Sequence, residues 1–207
     1  VRVDHFRGFS AYWSVPAGAE TAAAGQWRPG PGAALPRILA QWFPKLGFIA
    51  EDLGEPLPDL KRLMRESGLP GMEVLQFAFS GEPDNPYLPH NHTRSAVCYV
   101  GTHDNATLAQ WVHEAAPAER RQARAYFGIG RSSLQEALLR AGMASVSALF
   151  VSCMQDWLEI GAEGRMNRPG TVFGNWRWRM RPDALDQTLA ARIREMTGRY
   201  GRLEEKA

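Results

Sequence analysis

Cysteine is nearly absent from this chain. Cys98 and Cys153 are the only two among 207 residues. Their separation rules out the Cys-x-x-Cys pairs of zinc and redox sites, and a fold stapled by many disulfides. Each lies in an apolar, strand-like segment, where a buried free thiol is the ordinary state in a cytoplasmic protein, and a cytoplasmic location is expected. No His-x-x-x-His spacing joins the histidines, so no metal site is expected. No apolar run reaches the ~18 residues that span a bilayer. Net charge is only +2, with arginines scattered along the chain, which removes the case for nucleic acid or an anionic membrane as partner. Low-complexity blocks and repeats of fixed period are missing as well. An initiating Met and a signal peptide are absent too: the sequence opens inside a strand-like run and reads as part of a longer chain.

What is present is a globular composition, 44% hydrophobic and 22% charged. That suffices for one sizeable domain over residues 1–207, ending in a charged tail at 201–207. Val1 to Asp4 alternates apolar and polar residues as a strand does. Ser10 to Pro36 reads as a long Gly-, Pro- and Ala-rich loop carrying Tyr12, Trp13 and Trp27; such aromatics either stack on a flat ligand face or fold back onto the core. A short helix is expected over Pro36–Phe43, with Ile38, Leu39, Trp42 and Phe43 as its apolar side. Phe48–Ala50 reads as a second strand, Pro58–Glu66 as a helix stopped at Ser67-Gly68, and Met72–Phe79 as a buried strand. Ala96–Val100 is the fourth strand. Ala106–Gly142 holds two or three helices broken at Pro117 and at Gly128–Gly130, and Met143–Met154 a short helix feeding a final strand. A polar helix is expected over Ala184–Thr197. This alternation is the α/β pattern. About five strands correspond to the last five of a closed parallel (β/α)8 barrel, whose first strands would precede Val1.

Three acids stand at strand exits: Asp4, Glu51 and Asp104. Taken singly, each is as well explained by a surface ion pair. In a parallel barrel all strand C-termini open on one face, so the three would converge on one pocket. Two carboxyls about 5–5.5 Å apart can serve as nucleophile and general acid/base on a glycosidic bond, with retention of configuration. Arg2, His5 and Arg7 give Asp4 the cationic company of a nucleophile that must stay charged. Glu51 follows the apolar run Phe48-Ile49-Ala50, an approach suited to a carboxyl that must hold a proton. Asp104, beside His103, would bond sugar hydroxyls, and Tyr12, Trp13, Trp27 and Trp111 suit sugar faces.

The strings that carry these acids resemble one family. Val-Arg-Val-Asp4-His-Phe-Arg-Gly-Phe with Ala11-Tyr12-Trp13 is similar to the nucleophile strand of the amylomaltases, the 4-α-glucanotransferases or disproportionating enzymes of glycoside hydrolase family 77. Ile49-Ala50-Glu51-Asp52-Leu53-Gly54 resembles their acid/base strand, and Pro70-Gly71-Met72 with Val74 to Phe79 the following one. Gly101-Thr102-His103-Asp104-Asn105 is similar to the segment with their transition-state-stabilising acid. Gln155-Asp156 and Arg165-Met166-Asn167 through Gly174-Asn175-Trp176 continue the likeness almost to the end.

The resemblance implies a retaining double displacement on α-1,4-glucans, from a maltooligosaccharide or starch donor to the 4-OH of a glucose or glucan acceptor. Asp4 would attack the anomeric carbon and Glu51 protonate the leaving oxygen, then deprotonate the acceptor. Arg2 would hold Asp4, and His103, Asp104 and Asn167 would grip the sugar. No cofactor or metal takes part. Family members carry a long N-terminal part without counterpart here, which makes the rest of the same enzyme a candidate partner. Two other readings stay open: an amylase-type hydrolase, and an inactive chain that only binds glucan.

Overall fold

The computed structural model describes residues 1–54 and 58–203, so the end of the expected charged tail, 204–207, lies outside the described residues. The chain packs as two compact units, Val1–Met72 and Glu73–Ala207.

In the first unit, β1 (Arg2–Val3) leads through a tight 3-10 turn, Phe6–Phe9, into an antiparallel hairpin of β2 (Ala11–Ser14) and β3 (Gln26–Pro29). The stretch read from sequence as a loop therefore contains a hairpin. Trp13 faces Trp27 and Tyr12 faces Arg28 across it, and an aromatic cross-strand pair of this kind holds a short ladder together. The long segment between the strands hides their pairing from a local reading. Helix α1 (Ala34–Trp42) follows, with Pro36 in its first turn. Its expected apolar side stays in solvent: Trp42 is 73% exposed, and Ile38 and Phe43 are exposed as well. Periodicity fixes which side is apolar, not that a neighbour covers it.

β4 (Ile49–Ala50) lies parallel to β1, with Arg2 opposite Ile49 and Val3 opposite Ala50. α2 (Pro58–Ser67) then contributes Leu60, Leu63 and Met64, at helical spacing, to a core built around Phe6 and Ala50. β1 and β4 are thus tied by their ladder and by the buried residues that follow or end them.

A three-stranded sheet in the order β5-β6-β7 (Gly71–Val74, Ala96–Tyr99, Leu149–Val151) has all but the first two residues of β5 in the second unit, with β6 and β7 parallel. All four residues of the middle strand are buried, as expected when both faces are covered. The expected strand Met72–Phe79 stops at Val74 and tightens into a 3-10 turn over Leu75–Phe77. Gln76 still donates its backbone N–H to the Val100 carbonyl at 3.1 Å, while its side-chain amide donates to the Ala106 carbonyl at 2.9 Å.

The helices are α3 (Leu108–Glu114), α4 (Pro117–Phe127), α5 (Leu134–Ala144), α6 (Met154–Trp157) and α7 (Gln187–Arg199). Pro117 opens α4 and Gly128, at φ 62°, ends it, the two breaks read from the sequence. α7 starts three residues later than expected and runs two residues past Thr197, to Arg199. Side-chain oxygens of Thr107, Ser133 and Asp186 accept the backbone N–H groups that open α3, α5 and α7. Leu75, Val100, Leu108, Trp111, Leu134, Leu138 and Leu139 form the core. Cys98 is buried in β6, where burial pushes its thiol up to about 12. Cys153 sits at the start of α6 rather than in a strand, and burial pushes it up to about 11. Neither thiol is poised to react near neutral pH.

Gly142 of α5 lies against β7: a Cβ there would stand 2.0 Å from the Phe150 ring. Replacing an exposed helical glycine by alanine gains about 1 kcal/mol, but overpacking costs about 1–3 kcal/mol. Gly142→Ala is expected to lower the urea midpoint of unfolding. A raised midpoint would mean that the Phe150 ring yields freely.

Candidate active site

Asp4 is the first residue past β1, and its side chain is 75% exposed. Arg2, two residues back on the same face of the strand, donates Nη2 to its Oδ1 at 2.8 Å and lies with Nη1 3.9 Å from the Met72 sulfur. The other oxygen, Oδ2, makes no hydrogen bond among the described residues.

Glu51 is fixed more tightly. Its backbone N–H donates to the Val3 carbonyl and its carbonyl accepts from Phe6 N–H, both at 2.9 Å, so the β1–β4 ladder continues through it. Its carboxylate accepts the backbone N–H of His5 at 2.6 Å and that of Leu53 at 3.3 Å. The apolar run before Glu51 therefore does not enclose the carboxyl: Ala50 is buried in the core, while the next side chain alternates to the other face and meets backbone donors. His5 delivers its N–H from a left-handed backbone, φ 45°. Asp52 in turn accepts the Met72 N–H at 2.8 Å. Its carboxyl lies so near Gly71 that a Cβ there would be 2.3 Å away.

In the second unit the loop after β6 carries His103 and Asp104. Asn105 ties it, accepting both the N–H and the hydroxyl of Thr102 at 2.8 Å. Asn167 Nδ2 donates to Asp104 Oδ1 at 2.6 Å, and His103 Nε2 lies 3.4 Å from the same oxygen. The Asn167 N–H also donates to the His103 carbonyl, at 3.0 Å. Arg165 Nη2 holds the Asp104 carbonyl at 2.9 Å and its Nε the Asn167 carbonyl at 3.0 Å. The Trp176 ring packs 5.0 Å from the His103 ring.

Behind this loop stand Gln155 and Asp156 of α6. Asp156 accepts the Leu108 N–H at the head of α3 at 2.8 Å, and Gln155 Nε2 donates to the Gly164 carbonyl at 3.1 Å. They anchor the strand–helix loop on one side and the Arg165–Asn167 segment on the other. Burial pushes the Asp156 carboxyl up to about 6, against the bonds from Leu108 and Cys153, which pull it down.

The structure thus brings together Arg2, Asp4 and Glu51 in one unit, and His103, Asp104 and Asn167 in the other. Tyr12 and Trp13 lie half-exposed on the hairpin. Trp13 donates Nε1 to the Ala22 carbonyl at 2.8 Å and meets Trp27 edge-on at 5.4 Å; no bond joins either residue to Asp4 or Glu51 among the described residues.

The family model described as 4-alpha-glucanotransferase matches residues 1–186. This chain belongs to that family. The 4-alpha-glucanotransferase of Thermus thermophilus is 44% identical over 98% of this chain, and that of Synechocystis sp. 42% over 98%. The amylomaltase from Streptococcus agalactiae, solved in complex with acarbose, superimposes with a TM-score of 0.90 at 36% identity over 98% of this chain. The α/β fold is therefore that of an amylomaltase over the matched part. The chain spans about two fifths of the length of these relatives: 42%, 41% and 41% respectively.

Sequence reasoning singled out the acids but missed Arg165 and Asp156 as their supports. Both lie in strings quoted for the family likeness, but Arg165 follows no apolar strand and Asp156 falls inside a short helix, not at a strand exit.

Asp156 makes a pH-dependent contribution to stability whose sign can be worked out. Its folded-state value of about 6 lies above the ordinary 3.8, so the folded chain binds its proton more tightly than the unfolded one. The contribution is fully present below pH ~4 and is lost as pH rises through about 6, a change of about 3 kcal/mol. Measured by urea unfolding, wild type should lose roughly that much relative to Asp156→Asn between pH 4 and pH 8. A difference that stays constant with pH would refute the assignment.

Proposed function

We propose that this chain carries the catalytic carboxyls of a 4-α-glucanotransferase, on what corresponds to the C-terminal part of a (β/α)8 barrel. The observation that carries the reading is the pairing of β1 with β4, which sets Asp4 and Glu51 at adjacent ends of parallel strands, the arrangement a retaining mechanism uses. Family membership supports α-1,4-glucan as the substrate class.

In this reading Asp4 Oδ2 attacks the anomeric carbon, while Arg2 keeps Oδ1 engaged and aims the carboxylate. The bond from that carbon to the glycosidic oxygen breaks, and Glu51 gives the departing oxygen its proton. Glu51 then takes the proton of an incoming 4-OH, whose oxygen attacks the anomeric carbon and frees the Asp4 carboxylate. Protonation makes one oxygen of Glu51 the poorer acceptor, so the proton is favoured on the oxygen with the weaker bond. The Leu53 N–H, at 3.3 Å, makes the weaker of its two backbone bonds, so Oε1 is the oxygen that carries the proton.

Asp104 and His103 grip hydroxyls of the sugar at the cleaved bond, on the strength of the motif they share with the family, and Asn167 holds Asp104 for that task. Tyr12 and Trp13 offer faces to more distant sugar units. The chemistry needs neither metal nor cofactor, and the partners are neutral glucans, together with any further part of the same enzyme.

Incubation with maltotriose and mass spectrometry of the sugars tests this. Glucose with a ladder of longer maltooligosaccharides is the expected product. Glucose and maltose alone would indicate hydrolysis, and unchanged maltotriose would count against activity of the chain. Where transfer is seen, Glu51→Gln should slow it by about 10²–10⁴-fold, and Asp4→Asn should abolish the covalent glucosyl-enzyme.

A further inference from the structure

Among the described residues, three other than glycine adopt positive φ: His5 at 45°, Glu159 at 56° and Trp176 at 61°. Glu159 lies just past the end of α6, where a left-handed residue commonly terminates a helix. His5 is accounted for by the N–H it delivers to Glu51. Trp176 also delivers its N–H, to the Met166 carbonyl at 2.6 Å, and carries the largest side chain of the three. A bulky side chain in this region is a genuine outlier and is held there at a cost.

The surrounding loop is built to hold it. Asn175 accepts the Arg168 N–H through Oδ1 at 2.9 Å and donates Nδ2 to the Thr171 carbonyl at 3.1 Å, closing the turn. Gly170 and Gly174, with φ of 79° and 87°, supply the bends. The Trp176 N–H donates to the Met166 carbonyl at 2.6 Å, one residue before Asn167. The result is an indole laid against the His103 ring at 5.0 Å, with the residue still 52% exposed. An indole that were only filling a core would be covered. This one is aimed beside the cluster of His103, Asp104 and Asn167 and left open.

We propose that Trp176 is a sugar-binding platform: its open face takes the apolar C–H face of a pyranose ring next to the unit gripped by His103 and Asp104. A glucopyranose sets its C2, C3 and C4 hydroxyls equatorially at the rim and C–H bonds on its faces, so the polar cluster and the indole recognise the two sides of one ligand class. Stacking on a rigid aromatic costs little conformational entropy, and the strained backbone fixes the ring before the ligand arrives. This inference rests on the glucan reading above and adds to it the residue that sets affinity beside the gripped unit.

The test is calorimetric titration of the 207-residue chain with maltoheptaose, on wild type, Trp176→Gly, Trp176→Phe and Asp104→Asn, together with their melting temperatures. Glycine relieves the positive φ and removes the ring. Trp176→Gly is therefore expected to bind about tenfold more weakly while melting at or above the wild-type temperature, and Trp176→Phe to stay within about threefold. A Trp176→Gly chain that binds like wild type, while Asp104→Asn does not, overturns the platform and leaves the glucan reading standing. A Trp176→Gly melting temperature several degrees lower also overturns it, since the ring would then be packing rather than waiting for ligand. Wild type that binds no maltoheptaose overturns both.

Discussion

Glu51 is bonded to the opening strand at its peptide and at its carboxylate, and the arrangement of the first unit follows from that double attachment. The peptide bonds to Val3 and Phe6 fix the register of β1 against β4. The carboxylate bond from His5 fixes the side chain. A one-residue slip would turn Glu51 to the core and Ala50 outward, because side chains alternate along a strand. Ala50 is fully buried, so the core itself forbids the slip. Packing of a small apolar residue thereby decides where a reactive acid points.

The second unit reaches a similar end by a different route. Asp104 is not set by a ladder but by side chains that arrive from a later segment, with Arg165 and Asn167 bonding its carbonyl and its carboxylate. That segment is anchored in turn by Gln155, and the far end of the Asp104 loop by Asp156 through the head of α3. Burying the Asp156 carboxylate is unfavourable. Its compensation is directional: a charged acceptor on an N–H at a helix start makes a short, strong bond and holds the loop at one end while Arg165 holds the middle. A neutral apolar filler at that position would pack as well and orient nothing.

The sequence made the five strands legible, because each is a short alternating or apolar run ending at a turn and such runs need no distant information to recognise. The acids were legible for the same reason. The β2–β3 hairpin was not, since Ala11–Ser14 and Gln26–Pro29 are too short to show a period and declare themselves only when Trp13 meets Trp27. The early end of β5 was hidden too, because Leu75 to Phe79 stays mostly apolar and holds no glycine or proline to mark the turn. The environment of Glu51 was misread from its neighbours in sequence: the apolar run describes the other face of the strand. Support residues such as Arg165 escape any local pattern, since their partners are set by the fold and not by spacing.

The left-handed backbone at His5 shows how such a site is kept. That conformation costs about 1–2 kcal/mol for a residue with a side chain. The next residue, Phe6, is 1% exposed and stacks edge-on with Phe9 at 5.3 Å, and burying a phenylalanine contributes about 1.5–3 kcal/mol. The burial outweighs the strain, and it can do so only if the chain turns at His5, because Phe6 would otherwise leave the core. The strained peptide that presents its N–H to Glu51 is therefore held by an apolar side chain one position away. A substitution that hollowed out Phe6 would loosen the carboxyl without touching it.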